Sequence, residues 1–112
     1  MPDLPIEIDV ASVKQMLDGG DKFVLLDCRE PAEVATAKIS GSMHIPMREI
    51  PSRMAELGGD QAARVVVHCH HGGRSLRVTQ FLRQQGFTQT QNMSGGIDAW
   101  SLKIDPSIAR YE

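Results

Sequence analysis

The sequence predicts an α/β fold with a mainly parallel sheet. Two short apolar runs, Phe23 to Leu26 and Val65 to Val67, have the length expected of strands buried on both faces. Stretches with helical spacing fall between and after them, and glycine pairs punctuate the chain. Strand-like and helix-like segments thus alternate, as in chains built from strand–helix–strand units.

Taken in order, Ile6 and Ile8 flank Glu7 and predict a short edge strand. Asp9 is placed to N-cap a helix over about 10–18, with Val10, Val13 and Leu17 as its apolar stripe and Gly19-Gly20 as its stop. The strand at Phe23 to Leu26 follows. Pro31 suits the first turn of a short helix reaching Ala37. Gly41-Ser42 turn the chain into a short strand from Met43 to Ile45, ending at Pro46. Pro51 opens a helix with Met54 and Leu57 facing inward, and Gly58-Gly59 end it.

A strand at 64–68 then leads to a helix over about 74–85, with Val78, Phe81 and Leu82 at i, i+3 and i+4. Gly86 is placed as its left-handed C′ residue, with Phe87 packing back on Leu82. A weaker strand is expected over 88–93. Gly95-Gly96 lead into a one-turn helix that carries Trp100 as a core anchor. Residues 103–112 are polar, contain Asp105-Pro106, and are expected to lie over the surface outside a core of about 6–102. A chain of 112 residues is expected to be one domain.

Composition excludes several functions. A net charge of −2 gives no basic face for nucleic acid or an anionic membrane, and 4% aromatic content leaves no stacking platform for single strands. No apolar run approaches the ~20 residues of a membrane span. Two cysteines are too few for a disulfide framework, and there is no basic segment followed by an apolar one to mark a secretory signal, so a reducing, cytoplasmic setting is expected.

The chemistry is concentrated at residues 64–75, where a valine-rich strand ends at Cys69, Gly72-Gly73 form a tight loop, and a helix begins from Ser75. A loop that wraps around its first residue can aim successive N–H groups inward as an anion nest, and the following helix adds the positive end of its dipole. Arg74 adds a full charge. Each of these favours thiolate over thiol: a free cysteine titrates near ~8.5, and such surroundings can bring it to ~3.5–7.5. The cradle that favours S⁻ also suits an oxyanion. These features make Cys69 the candidate nucleophile, with His70, His71, Gly72, Gly73, Arg74 and Ser75 as its binding loop.

Residues 65–100 resemble a rhodanese-like domain of the single-domain sulfurtransferase type. The resemblance rests on Cys-His-His-Gly-Gly-Arg-Ser at 69–75, Leu-Leu-Asp-Cys-Arg-Glu-Pro at 25–31, Ile-Ser-Gly-Ser-Met-His-Ile-Pro at 39–46 and Gly-Gly-Ile-Asp-Ala-Trp at 95–100. It implies a mainly parallel central sheet with helices on both faces. It also implies that sulfane sulfur moves from thiosulfate or a persulfide donor to a thiol or cyanide through a persulfide on Cys69. The loop Cys69–Arg74 has six members, which resembles the sulfurtransferase size; the tyrosine-phosphatase loop, Cys-x5-Arg, is one residue longer.

The remaining residues carry two readings each. Asp27, Arg29 and Glu33 resemble the family's Asp-x-Arg-x-x-x-Glu pattern and either line the pocket or form a buried ion pair that fixes the strand-end loop. His68, Cys69, His70 and His71 are consecutive, and adjacent residues rarely converge on one ion, so no metal and no cofactor is expected. His68 reads as a strand core residue. Cys28 reads as packing, with a resolving thiol as the alternative. Lys38 stands where the family usually has histidine. The alternative to an enzyme is a carrier or docking module that takes sulfur from, or passes it to, a protein partner.

Overall fold

A computed structural model describes residues 4–57 and 62–111. Five strands form one sheet in the order β1-β5-β4-β2-β3: β1 (Glu7–Ile8), β2 (Val24–Asp27), β3 (Met43–His44), β4 (Val65–His68) and β5 (Thr90–Met93). Every strand pairing is parallel. Helices α1 (Val10–Asp18), α2 (Pro31–Thr36), α3 (Ile50–Arg53), α4 (Gly73–Gln84) and α5 (Gly96–Lys103) connect or follow the strands. Two apolar clusters cover the sheet's two faces. One joins Leu26, Val65 and Val67 to Ile50, Val78 and Leu82; the other joins Leu25 and Val66 to Val10, Val13 and Trp100. Alternate residues of a strand point to opposite faces, so Val65 and Val67 enter one cluster and Val66 the other.

Local chemistry explains the helix ends. The Asp9 carboxylate accepts the Ser12 N–H at 2.8 Å and caps α1. Gly86 adopts φ +98° after α4; its N–H reaches Arg83 O and the Phe87 N–H reaches Leu82 O, the paired bonds of a Schellman stop.

The structure departs from the sequence expectations in several places. The buried stripe of α1 is Val10, Val13 and Met16, while Leu17 is exposed. Position 16 continues the i, i+3, i+6 row from Val10 and Val13. The segment after Pro46 is a 3₁₀ turn (Met47–Glu49), the short helix α3 with Pro51 in its first turn, and a second 3₁₀ turn (Met54–Leu57), so the single helix expected from Pro51 through Leu57 is divided. The stop expected at Gly58-Gly59 lies outside the described residues. Gly73 is the first residue of α4, not part of the loop, and of the pair Gly72-Gly73 it is Gly72 that has a positive φ (+111°). Helix α5 has 8 residues rather than one turn. The tail is no mere surface cover: Ile104, Ile108 and Tyr111 pack against the second cluster. No helix among the described residues is long and apolar enough to cross a membrane.

The change of buried residue on α1 gives a direct test. Met16→Ala should cost about 2–5 kcal/mol, the range for truncating a buried large side chain. Leu17→Ala should stay within about 0.5 kcal/mol, as surface changes do. Urea unfolding of both variants measures the contrast.

Candidate functional site

Strands β2 and β4 lie side by side in register, pairing Asp27 with His68. The next residues, Cys28 and Cys69, therefore emerge together at the carboxyl edge of the sheet, where ligands of parallel α/β sheets bind. Both thiols are free and buried. From Cys69 the chain folds back on itself. The Gly72 N–H is 3.1 Å from Cys69 Sγ, the Ser75 N–H is 3.4 Å away, and Ser75 Oγ is at 3.3 Å. The left-handed turn at Gly72 makes this approach possible and sets the first turn of α4 over the sulfur. Burial acts to raise the Cys69 thiol, and contacts from Ser75 and the N–H groups of Gly72 and Arg74 outweigh it, holding the thiol below its ordinary range. Burial instead pushes the Cys28 thiol up, and its Sγ sits 3.5 Å from His68 O.

The loop is held from behind by main chain. The Ile97 N–H donates to Cys69 O at 2.9 Å and the Asp98 N–H to His70 O at 3.1 Å, so the first turn of α5 grips the loop's carbonyls. Gly96 lies so close that a Cβ there would fall on the Cys69 and His70 carbonyls.

Arg74 does not point into the cradle. Its guanidinium makes two bonds to Glu33, at 2.6 and 2.8 Å. The expected cluster of Asp27, Arg29 and Glu33 is accordingly divided. Asp27 and Arg29 form a fully buried pair, with Nε and Nη2 of Arg29 at 2.9 and 2.7 Å from the carboxylate. Burial acts to raise the Asp27 carboxyl, and the Arg29 hydrogen bonds outweigh it and keep it below its ordinary range. Arg29 meets Glu33 only through the backbone carbonyl, at 3.3 Å, while the Glu33 carboxylate faces Arg74.

His70 and His71 stack on each other with ring centroids 4.0 Å apart. Candidate ligand atoms of His70, His71 and Asp98 lie within 4.8 Å of one another, but the Asp98 carboxylate is already engaged by Arg110 at 2.9 and 3.3 Å. His68 is a buried core residue, and burial lowers its pKa to about 4, so its ring is neutral.

Two residues of the site were missed in the sequence. Tyr111 accepts a hydrogen bond from Arg29 Nη1 at 2.8 Å, donates to Glu33 Oε2 at 2.8 Å, and stacks on His70 with centroids 4.0 Å apart. The available signal was the apolar spacing of Ile104, Ile108 and Tyr111 in an otherwise polar tail. Asn92 contacts Ser75, Gly72 and Glu7. Its signal was polarity where a strand needs apolar residues: Thr90, Gln91 and Asn92 are all buried.

The rhodanese-like domain model matches residues 9–103. The chain belongs to the rhodanese-like domain family. A sulfurtransferase of Allochromatium vinosum is 39% identical over 103 residues, an alignment covering 92% of this chain and 94% of the relative. The maize protein named adenylyltransferase and sulfurtransferase MOCS3-1 is 32% identical over 103 residues, covering 88% of this chain and 22% of that longer protein. The solved structure of the human single-domain sulfurtransferase TSTD1 superposes with a TM-score of 0.81 at 25% identity, covering 89% of this chain and 98% of that one. Tyr111 lies beyond the residues that the rhodanese-like model matches.

The bonds from Arg74 hold the Glu33 carboxyl down to about 2, against an ordinary value of 4.5. A carboxyl depressed on folding contributes stability that is fully present above its unfolded pKa and is lost as pH falls through the folded one. The stability advantage of wild type over Glu33→Gln should therefore be complete above about pH 4.5 and shrink toward about pH 2. Chemical denaturation across that range checks it.

Proposed function

We propose that this chain transfers sulfane sulfur through a persulfide on Cys69. The observation that carries the reading is the convergence of the Gly72 and Ser75 N–H groups on Cys69 Sγ, where the chain turns from the end of β4 into α4. In the first half-reaction the Cys69 thiolate attacks the outer sulfur of a donor such as thiosulfate. An S–S bond forms to Cys69, the donor's S–S bond breaks, and sulfite leaves with the electron pair. In the second, cyanide or a thiol attacks the terminal sulfur and the Cys69 thiolate departs. Charge balances in both steps, and no cofactor is required.

The loop supports this chemistry by stabilising negative charge on sulfur, at Cys69 Sγ in the free enzyme and at the terminal sulfur of the persulfide. His70, His71 and Gly72 form the turn beside that sulfur, Gly73, Arg74 and Ser75 open α4 over it and complete the binding segment, and Arg74 reaches an anionic donor when it exchanges Glu33 for it. Asp27 and Arg29 serve as the buried pair beneath the loop. A protein bearing a persulfide is a second class of donor, and a protein thiol a second class of acceptor. A reducing, cytoplasmic setting suits a thiol that must be regenerated in each cycle.

Steady-state assay with thiosulfate and cyanide, alongside intact mass, tests the reading. Wild type should turn over and show a gain of one sulfur atom after donor alone. Cys69→Ser should abolish both, whereas Cys28→Ala should keep most activity. A sulfur adduct without turnover would favour the carrier reading. Retained transfer in Cys69→Ser/Cys28→Ala would remove Cys69 from the mechanism. Aryl-phosphate hydrolysis should be negligible beside sulfur transfer; if it is the faster reaction, the substrate class is wrong.

A further inference from the structure

The partners of Asn92 settle the orientation of its amide. Nδ2 lies 2.8 and 2.9 Å from the two carboxylate oxygens of Glu7 and 3.2 Å from the Gly72 carbonyl oxygen. An ionised carboxylate and a carbonyl only accept, so the NH₂ group faces them and Oδ1 faces Ser75. Oδ1 also only accepts. The close contact between Ser75 Oγ and Asn92 Oδ1 therefore holds the single proton that the hydroxyl owns. Ser75 Oγ is at the same time 3.3 Å from Cys69 Sγ, and toward the sulfur it is left with lone pairs. With its proton on Asn92 the hydroxyl can only accept from S–H, and to bond S⁻ it must turn that proton away from Oδ1.

We propose that Asn92 is a positioning residue that sets the acidity of Cys69 by competing with the sulfur for the Ser75 proton, and that Glu7 on the edge strand locks the amide that competes. The proposal rests on Cys69 being the sulfur-carrying nucleophile. In the thiol form the chain runs from S–H to Ser75 Oγ and from Oγ–H to Asn92 Oδ1. On ionisation the thiol proton passes to water, the hydroxyl turns its own proton to the thiolate, and Oδ1 loses its donor. The backbone N–H groups of Gly72 and Ser75 favour thiolate unopposed; the hydroxyl does so only at the expense of Asn92. Once a persulfide forms, the charge moves to the outer sulfur and the Ser75 proton returns to Asn92. The other groups near the sulfur are Cys28 beyond β2, whose thiol burial keeps protonated, and Arg74 on α4, paired with Glu33. His70 in the loop stacks on Tyr111, and Asp98 on α5 is held by Arg110.

The test is the pH dependence of iodoacetamide alkylation at Cys69, followed by peptide mass, in wild type, Asn92→Ala and Glu7→Ala, each with and without Ser75→Ala. Removing the competitor, or unlocking its amide so that Nδ2 can turn to Ser75, should lower the Cys69 midpoint. The thiolate fraction below the midpoint should rise about three- to tenfold, the size of one ordinary hydrogen bond. The shift should vanish when Ser75 is alanine, because the coupling runs through its proton. An unchanged or raised midpoint overturns the proposal, as does a fall that persists without the Ser75 hydroxyl. Glu7→Ala leaves every group around the sulfur in place and decides the matter if Asn92→Ala fails to fold or the two variants differ. Alkylation reads only the thiol, so an absence of sulfur transfer would count against the proposed function and leave this result standing.

Discussion

The site depends on the burial of one arginine. Arg29 is fully buried, and a guanidinium removed from water must place its five N–H donors on oxygen or destabilise the fold. Asp27 takes two of them, and the Ala37 carbonyl, the Glu33 carbonyl and the Tyr111 hydroxyl take the rest. That single requirement gathers the end of β2, both ends of α2 and the C-terminal tail around one point. Glu33, whose backbone is fixed in this way, turns its carboxylate to Arg74 at the start of α4. Breaking a buried pair of this kind typically costs about 3–5 kcal/mol.

A second constraint acts at the sulfur. Three main-chain features coincide there: the end of β4, the left-handed Gly72 and the N-terminus of α4. Each has a separate sequence cause, and together they turn a small buried side chain into a hydrogen-bonded thiol with a lowered pKa. Cys28 occupies the matching place beyond the neighbouring strand without such a loop, and its thiol is pushed the other way. The opposite behaviour of two adjacent cysteines follows from what the chain does immediately after each.

Much of this was legible in the sequence. Apolar runs and glycine positions identified β2, β4, α4 and its stop, and the glycine pair after Cys69 identified the turn between β4 and α4. What could not be read were contacts between residues far apart in the chain. The pairing of Glu33 with Arg74 spans 41 positions, and that of Tyr111 with Arg29 spans 82. No local period reports such contacts. β5 was weakly legible for a related reason: its buried residues are polar, and hydrogen bonds of Gln91 and Asn92 end on Pro5, Glu7 and Gly72, all at least 20 positions away in sequence. On α1 both Met16 and Leu17 fit an apolar face next to Val10 and Val13, and only the packing of the whole chain, which buries Met16 and leaves Leu17 exposed, distinguishes them.

The grip of α5 on the loop has a consequence for how such a site can change over generations. Ile97 and Asp98 hold the loop through their amides, and the loop receives them through the carbonyls of Cys69 and His70. Those two bonds are main chain to main chain, so neither is made by the side chain of residue 70 or 71. The exposed position 71 can then change its side chain while those bonds stand, whereas position 70 is tied through its ring to Tyr111 and so to the Arg29 frame.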